Sequence, residues 1–400
     1  MTAASDTAGY PRLSRDERAR RFAAVRARMT RQGLDAIVIR TDSGKWDSGS
    51  AEGRYLTHIG GNGEEGYTVF DLREDPVFVI WGPGHIENWK AAQDWTTDIR
   101  PGIPSSAHVV AARIRELGLE RGRLGLVGRA SGPLTPDGRW PQLAYETFRR
   151  ELPDATLTDF DDELAAVRAL KSPEEIACHE RAMAMTEAAI EAMYAHARAG
   201  VSGVEVVGQM VGRLVRAGSD MSVMVQLAVG PKICLASRLT PDRPLIAGDI
   251  LLNEITGKYN GYWSQAHAPV AVGPPSPAYQ RLFDLTLEGL HAGQAALTPG
   301  IRTGELAEII RKPSEKAGCL WNPIPTVKGI GMSTSEFPMS PSPYLAVTTS
   351  PAIQENMVIT FQPAAYDQAA GIGMHIAETF VVMRDACRRL GHRTLEFRVV

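Results

Sequence analysis

Two short segments, Gly200-Val201-Ser202-Gly203-Val204-Glu205 and Gly300-Ile301-Arg302-Thr303-Gly304-Glu305, stand a hundred residues apart, each between two stretches of helical period. A Gly-x-x-x-x-Glu match constrains little by itself. The shared helix–turn–helix setting constrains much more, because it predicts two related halves inside one domain. The first half opens at Lys171-Ser172-Pro173-Glu174-Glu175. Ser172 reads as the N-cap, Pro173 occupies the first helical position, where its missing N–H is not needed, and Glu175 closes a capping box. The helix is expected to run to about Arg198 and to stop at Gly200. In the second half a helix over 277–297 precedes Gly300.

Between the two echoes lies Gly248 to Gly273, read as a β-hairpin. Ile250 to Ile255 is apolar with Asn253 and Glu254 set into it, Lys258 to Gly261 is a turn signal, and Tyr262 to Val272 is the return strand. Alternation puts Gln265 and His267 on one face and Ser264 on the other. A hairpin that aims Glu254, Gln265 and His267 into one space is a candidate reaction centre; the bland alternative is a half-buried hairpin with a solvated polar face. A loop at Gly230 to Pro244 carries Ser237 and Arg238. Further on come a Gly-rich turn at Lys328 to Met332, a loop with Ser335 and Glu336, an apolar strand at Met357 to Gln362, and a last core strand at Gly373 to Met383 that carries His375 and Glu378.

Upstream, residues 1–12 read as disordered. Residues 13–160 alternate strands (near Leu34–Ile39, Tyr67–Leu72, Val77–Trp81 and Leu124–Val127) with helices (Ser14–Gln32, His85–Gln93 and His108–Leu117), as an α/β domain does. The Gly-rich stretch His58 to Gly66 runs into a strand, not a helix, and so lacks the context of a phosphate loop. Trp81, Trp89 and Trp95 read as domain core or dimer contact. The 43 basic and 46 acidic residues leave no basic footprint for nucleic acid. Four scattered cysteines form no C-x-x-C pair, which points to reduced thiols and a cytoplasmic protein. No apolar run approaches the ~18 residues of a membrane span, and no signal peptide is expected.

The order of these motifs resembles the pita-bread proteins: methionine aminopeptidase, aminopeptidase P, prolidase and creatinase. The markers are KSPEE before the long helix, the GD-x-L and GY-x-S elements of the hairpin, G-I-G followed by Glu-x-Pro, and the late NMV-x-T strand. The resemblance covers nearly the whole chain. It implies an α/β (α+β) protein with a creatinase/prolidase-like N-terminal domain over 13–160 and a pita-bread domain over 161–400. It also implies a homodimer in which the N-terminal domain caps the partner's site.

The metallopeptidases of this family bind two divalent ions with two Asp, one His and two Glu. Those positions correspond here to Glu254, Gln265, Lys328, Gln362 and Ala377, with Glu378 one residue on and turned by pleating to the other face. One anionic ligand remains, and an ammonium stands where an imidazole would bind. The expectation is a site without metal or other cofactor. The family's substrate-facing histidines correspond to Ser237 and Ser335. The residues assigned to catalysis are Glu254, Lys328, His267, His375 and Glu336, and those assigned to substrate are Ser237, Arg238, Gln265, Gln362, Ser335 and Glu378. Lys328 is expected to pair with Glu254 or Glu336, and His267 or His375 to move a proton near neutral pH. The implied function is a creatinase-like, metal-independent hydrolase or lyase acting on a C–N or similar bond of a small polar substrate bearing a carboxylate. The alternatives are an inactive pita-bread binding module and a metallo-aminopeptidase with non-standard ligands.

Overall fold

The computed structural model describes residues 9–132, 134–221, 223–236, 239–321, 324–345 and 347–400. The chain divides into two compact units, Met1–Arg168 and Ala169–Val400. Most of the segment expected to be disordered, residues 1–8, and two expected substrate residues, Ser237 and Arg238, lie outside the described residues.

The first unit is built on a six-stranded mixed sheet in the order Asp98–Pro101, Val77–Ile80, Gly66–Asp71, Ala36–Thr41, Arg123–Val127, Thr156–Asp159. Helix Arg15–Gln32 starts at Ser14, whose side chain accepts the Glu17 amide, and ends at Gly33 in the left-handed conformation. The strands at 98–101 and 156–159 and the helix Gln142–Glu151 escape the sequence reading, because each is short or polar and has no strong period. The tryptophans separate. Trp95 is buried, Trp89 donates its indole N–H to Glu64, and Trp81 is 73 % exposed, so of the two roles expected it does not fill that of a core residue.

In the second unit the repeat is explicit. Pro173–His196 and Pro277–Ala296 are the two long helices, capped by Ser172 and Ser276, each with Pro at the first helical position. Each leaves its helix through an extended residue, Ala197 or Leu297, and then turns at a glycine of positive φ, Gly200 at +90° and Gly300 at +99°. Each of those glycine amides donates to a later carbonyl of its own half, Leu245 or Ile353. Shorter helices follow at Gly203–Arg216 and Thr303–Lys316. Each half then adds strands: Met224–Gly230 and Ile250–Tyr259 in the first, Val327–Gly329 and Val358–Phe361 in the second.

The hairpin has a longer first strand and a shorter return strand than predicted. Its first strand reaches Tyr259, and the turn is only Asn260-Gly261, both at positive φ, which matches the twist of the flanking strands. The return strand stops at Ala266 and resumes at Val270. The expected last core strand is likewise two: Ile372–His375 pairs with Ala364–Asp367, whereas Glu378–Val382 pairs with Val358–Phe361.

Alternation decides what faces what. Val327, Ile359, Phe361 and Phe380 point into the apolar cluster that also holds Leu290 and Ile310 of the second helix pair. In the hairpin, Gly257 lies so close to the long helix that a Cβ there would sit 2.7 Å from the Ala182 carbonyl oxygen. The residues of opposite parity, Glu254, Gln265, Lys328 and Thr360, are left on the common inner face.

Candidate functional site

The inner face is assembled by register. Lys328 pairs with Thr360 and Thr360 with Thr379. The Thr360 and Thr379 hydroxyls lie 3.2 Å apart, and Thr379 Oγ1 donates to the Gln265 carbonyl at 2.8 Å. Gln265 in turn pairs with Thr256. A second row lies alongside: Gln226 opposite Glu254, His267 bridged to Ala377, and Gln362 next along from Phe361, whose partner is Glu378. Directly opposed residues of antiparallel strands share a face. Lys328, Gln265, Glu254, His267, Gln362 and Ala377 therefore belong to one surface drawn from both halves of the repeat.

The contacts within that surface are specific. Gln362 Nε2 donates to Gln265 Oε1 at 3.0 Å, and Gln226 Nε2 donates to Glu254 Oε2 at 3.2 Å. His267 Nδ1 and His375 Nδ1 lie 2.9 Å apart, and the Ala236 amide donates to His375 Nε2 at 3.1 Å. A backbone N–H can only donate, so His375 Nε2 is the unprotonated nitrogen and its proton is on Nδ1. That proton goes to His267 Nδ1, which fixes the His267 proton on Nε2.

Burial governs the charges. The Lys328 ammonium is pushed down to about 8 by desolvation, against the attraction of Glu254. Desolvation holds His375 at about 4 and takes His267 well below its ordinary value, with His375, Lys328 and Arg393 adding to the effect. Both imidazoles are thus neutral at pH 7, which corrects the expectation that one of them titrates there. Glu254 is half-buried and keeps access to solvent.

Three other expected residues are committed elsewhere. Glu336 pairs with Gly329, one residue on from Lys328, so pleating turns it off the Lys328 row. Its carboxylate accepts the Ser333 amide at 2.8 Å and lies 3.6 Å from the Lys171 ammonium. The counter-charge acting on Lys328 is accordingly Glu254. Ser335 stays in that same turn, where its carbonyl accepts the Ser333 hydroxyl. Glu378 shares the helix-facing side with Phe361 and is held by Arg393, whose guanidinium also donates to the His267 carbonyl. It therefore does not line the inner face as a substrate group. Gln226, the Ala236 amide, Thr379 and Arg393 went unnoticed in the sequence. None has a motif, and Arg393 reaches the site only through the fold of the C-terminal segment.

The five positions implied for a metal pair do not fit one. Only Glu254 is a carboxylate. The Gln265 amide oxygen already accepts from Gln362, Lys328 repels cations, and His267 Nε2 carries a proton. Among the described residues, no group of three or more His, Cys, Asp or Glu could hold a metal ion. No described helix is long and apolar enough to cross a membrane.

Two five-stranded sheets joined at the His267–Ala377 bridge, with two related pairs of helices, define a pita-bread protein. The chain belongs to metallopeptidase family M24, whose model matches residues 177–384. It is 25 % identical over 259 residues to the uncharacterized peptidase YqhT of Bacillus subtilis, covering 64 % of this chain and 71 % of that protein. It is 24 % identical over 256 residues to a Pyrococcus furiosus Xaa-Pro dipeptidase, covering 64 % and 72 %. The fold matches the crystal structure of X-Pro aminopeptidase from Thermotoga maritima with a TM-score of 0.80 at 18 % identity, over 95 % of this chain and 99 % of that one. Dipeptidase PepE from Mycobacterium ulcerans gives 0.78 at 22 % identity, over 98 % and 100 %.

Proposed function

We propose that this chain is a metal-independent enzyme on the M24 fold, creatinase-like in cleaving a C–N or similar bond of a small polar substrate that bears a carboxylate. The observation that carries the reading is the buried Lys328 ammonium, set against Glu254 at the place where the family's metal-binding imidazole would stand. A fixed positive charge there does part of the electrostatic work of a metal ion and excludes the ion itself. The relatives' names, Xaa-Pro dipeptidase among them, support hydrolysis of a C–N bond.

The roles follow from position and charge. Glu254 is the half-buried carboxylate of the inner face and acts as general base, taking a proton from the attacking water as its oxygen bonds to the substrate carbon. Lys328, at about 8, is mostly ammonium at pH 7 and close enough to neutrality to give a proton to the departing nitrogen. The proton on Glu254 then returns to Lys328, which restores the resting charges. The neutral histidine pair is too far from titration to share this traffic and serves as a fixed dipole. A homodimer, with the N-terminal domain closing the partner's pocket, is part of the proposal.

The test is turnover of a dipeptide panel that includes Xaa-Pro substrates by protein whose metal content is measured in the same sample. Activity should persist in metal-free protein and be lost in Glu254→Gln and Lys328→Met. Stoichiometric Mn, Fe, Co or Zn with activity that depends on it would refute the reading.

A further inference from the structure

Among the described residues, three side-chain polar atoms of the inner face have no partner: His267 Nε2, Gln265 Nε2 and Oγ1 of Thr256, the residue paired with Gln265. His267 Nε2 and Gln265 Nε2 are buried and make no hydrogen bond, although their residues are 2 % and 0 % exposed. An unpaired buried donor is costly, so His267 Nε2 and Gln265 Nε2 on one face call for an explanation. Both are donors for a structural reason. The Ala236 amide fixes the tautomers of the histidine pair, so His267 presents N–H and not a lone pair. Gln265 spends its amide oxygen on Gln362 and keeps its NH2 group. Lys328, on the same face by register through Thr360 and Thr379, adds a positive charge. Between His267 and Gln362 the row is occupied by Ala377, whose side chain ends at Cβ.

We propose that the space above Ala377 is a carboxylate site, in which Lys328 Nζ, the His267 Nε2–H and the Gln265 NH2 group take the anionic oxygens of the ligand. This deepens the functional reading above and rests on it, since it places the substrate's carboxylate inward and its reacting bond toward Glu254. Three donors with a single positive charge suit two oxygens sharing one negative charge. A phosphate would bring a larger charge and a further oxygen against the same cation.

Acetate is the probe. Calorimetry and thermal unfolding at pH 7, in metal-analysed protein and at matched ionic strength against chloride, should show acetate binding. In Lys328→Met that binding should weaken by about tenfold or more, as expected for loss of a charged hydrogen-bond partner. Long-range 15N spectra of histidine-labelled protein supply a readout that needs no variant. They should show His375 protonated on Nδ1 and His267 on Nε2, with the His267 Nε2 resonance moving as acetate is added. No acetate response in metal-free protein, an unchanged response in Lys328→Met, a His267 proton on Nδ1, or a preference for phosphate over acetate would each overturn the carboxylate site. Stoichiometric transition metal in the same sample would overturn the metal-independent reading beneath it.

Discussion

Replacing Lys328 by Met should stabilise the protein while abolishing turnover. The ammonium is buried, and its pKa falls from an ordinary 10.5 to about 8 even with Glu254 nearby. That fall corresponds to roughly 3 kcal/mol by which the fold disfavours the charged form. The sign follows from proton counting. Between pH 8 and 10.5 the unfolded chain holds the proton and the folded chain has lost it, so wild-type stability rises with pH through that window. Below pH 8 both states are protonated and the whole penalty is present. Methionine has nearly the same length, no charge and enough flexibility to fill the space. The variant should therefore gain up to about 3 kcal/mol at pH 7, less what Glu254 loses as a counter-charge, and Glu254 is half in solvent. At roughly 2–4 °C per kcal/mol for a unit of this size, Tm should rise by up to about 10 °C. Urea unfolding at pH 7 and pH 10.5 is the assay, and the advantage of the variant should shrink at the higher pH. A variant less stable than wild type at pH 7, or a difference that does not change with pH, would show that contacts of the ammonium offset its burial. Lys328 would then be a structural ion-pair member rather than a charge held in place for function.

Arg393→Met should cost about 3–5 kcal/mol at pH 8, because it leaves the buried Glu378 carboxylate without its partner. Burial already raises the Glu378 pKa, so its carboxyl takes up a proton more readily when folded than when unfolded. The cost should therefore be smaller at pH 5, as paired urea titrations would show. Glu336→Gln keeps an acceptor for the Ser333 amide but removes the negative charge 3.6 Å from the buried Lys171 ammonium, at a cost of about 3 kcal/mol in the same assay; unchanged stability with lost turnover would return Glu336 to the catalytic set. Restoring the family pattern with Glu254→Asp, Gln265→Asp, Lys328→His, Gln362→Glu and Ala377→Glu together should create divalent metal binding that elemental analysis and Co(II) absorption detect. Failure in a folded variant would mean that the rows of the inner face are not where the family's ligands stand.

The parts of this molecule written in local chemistry were legible in the sequence. Ser172-Pro173-Glu174-Glu175 can hardly be anything but a helix start, and the capping box is formed as expected. The glycine echo survives as two positive-φ turns of nearly equal angle. The two-residue period placed Gln265 and His267 together and turned Ser264 to the other face, where its hydroxyl meets the His179 carbonyl. What could not be read locally is which charges meet. Glu336 and Glu254 were both credible partners for Lys328, and only the pairing of Glu336 with Gly329 separates them. Histidine titration is hidden for the same reason, since burial sets the pKa of His375, and so is the backbone amide that reaches its ring, from Ala236 in a loop more than a hundred residues away. That amide has the largest consequence for the site. By taking the lone pair of His375 it orients two imidazoles in series and turns His267 into a donor. The face that has lost four of its five expected metal-ligand types is thereby supplied with hydrogen-bond donors, the chemistry that a substrate's own negative oxygen requires.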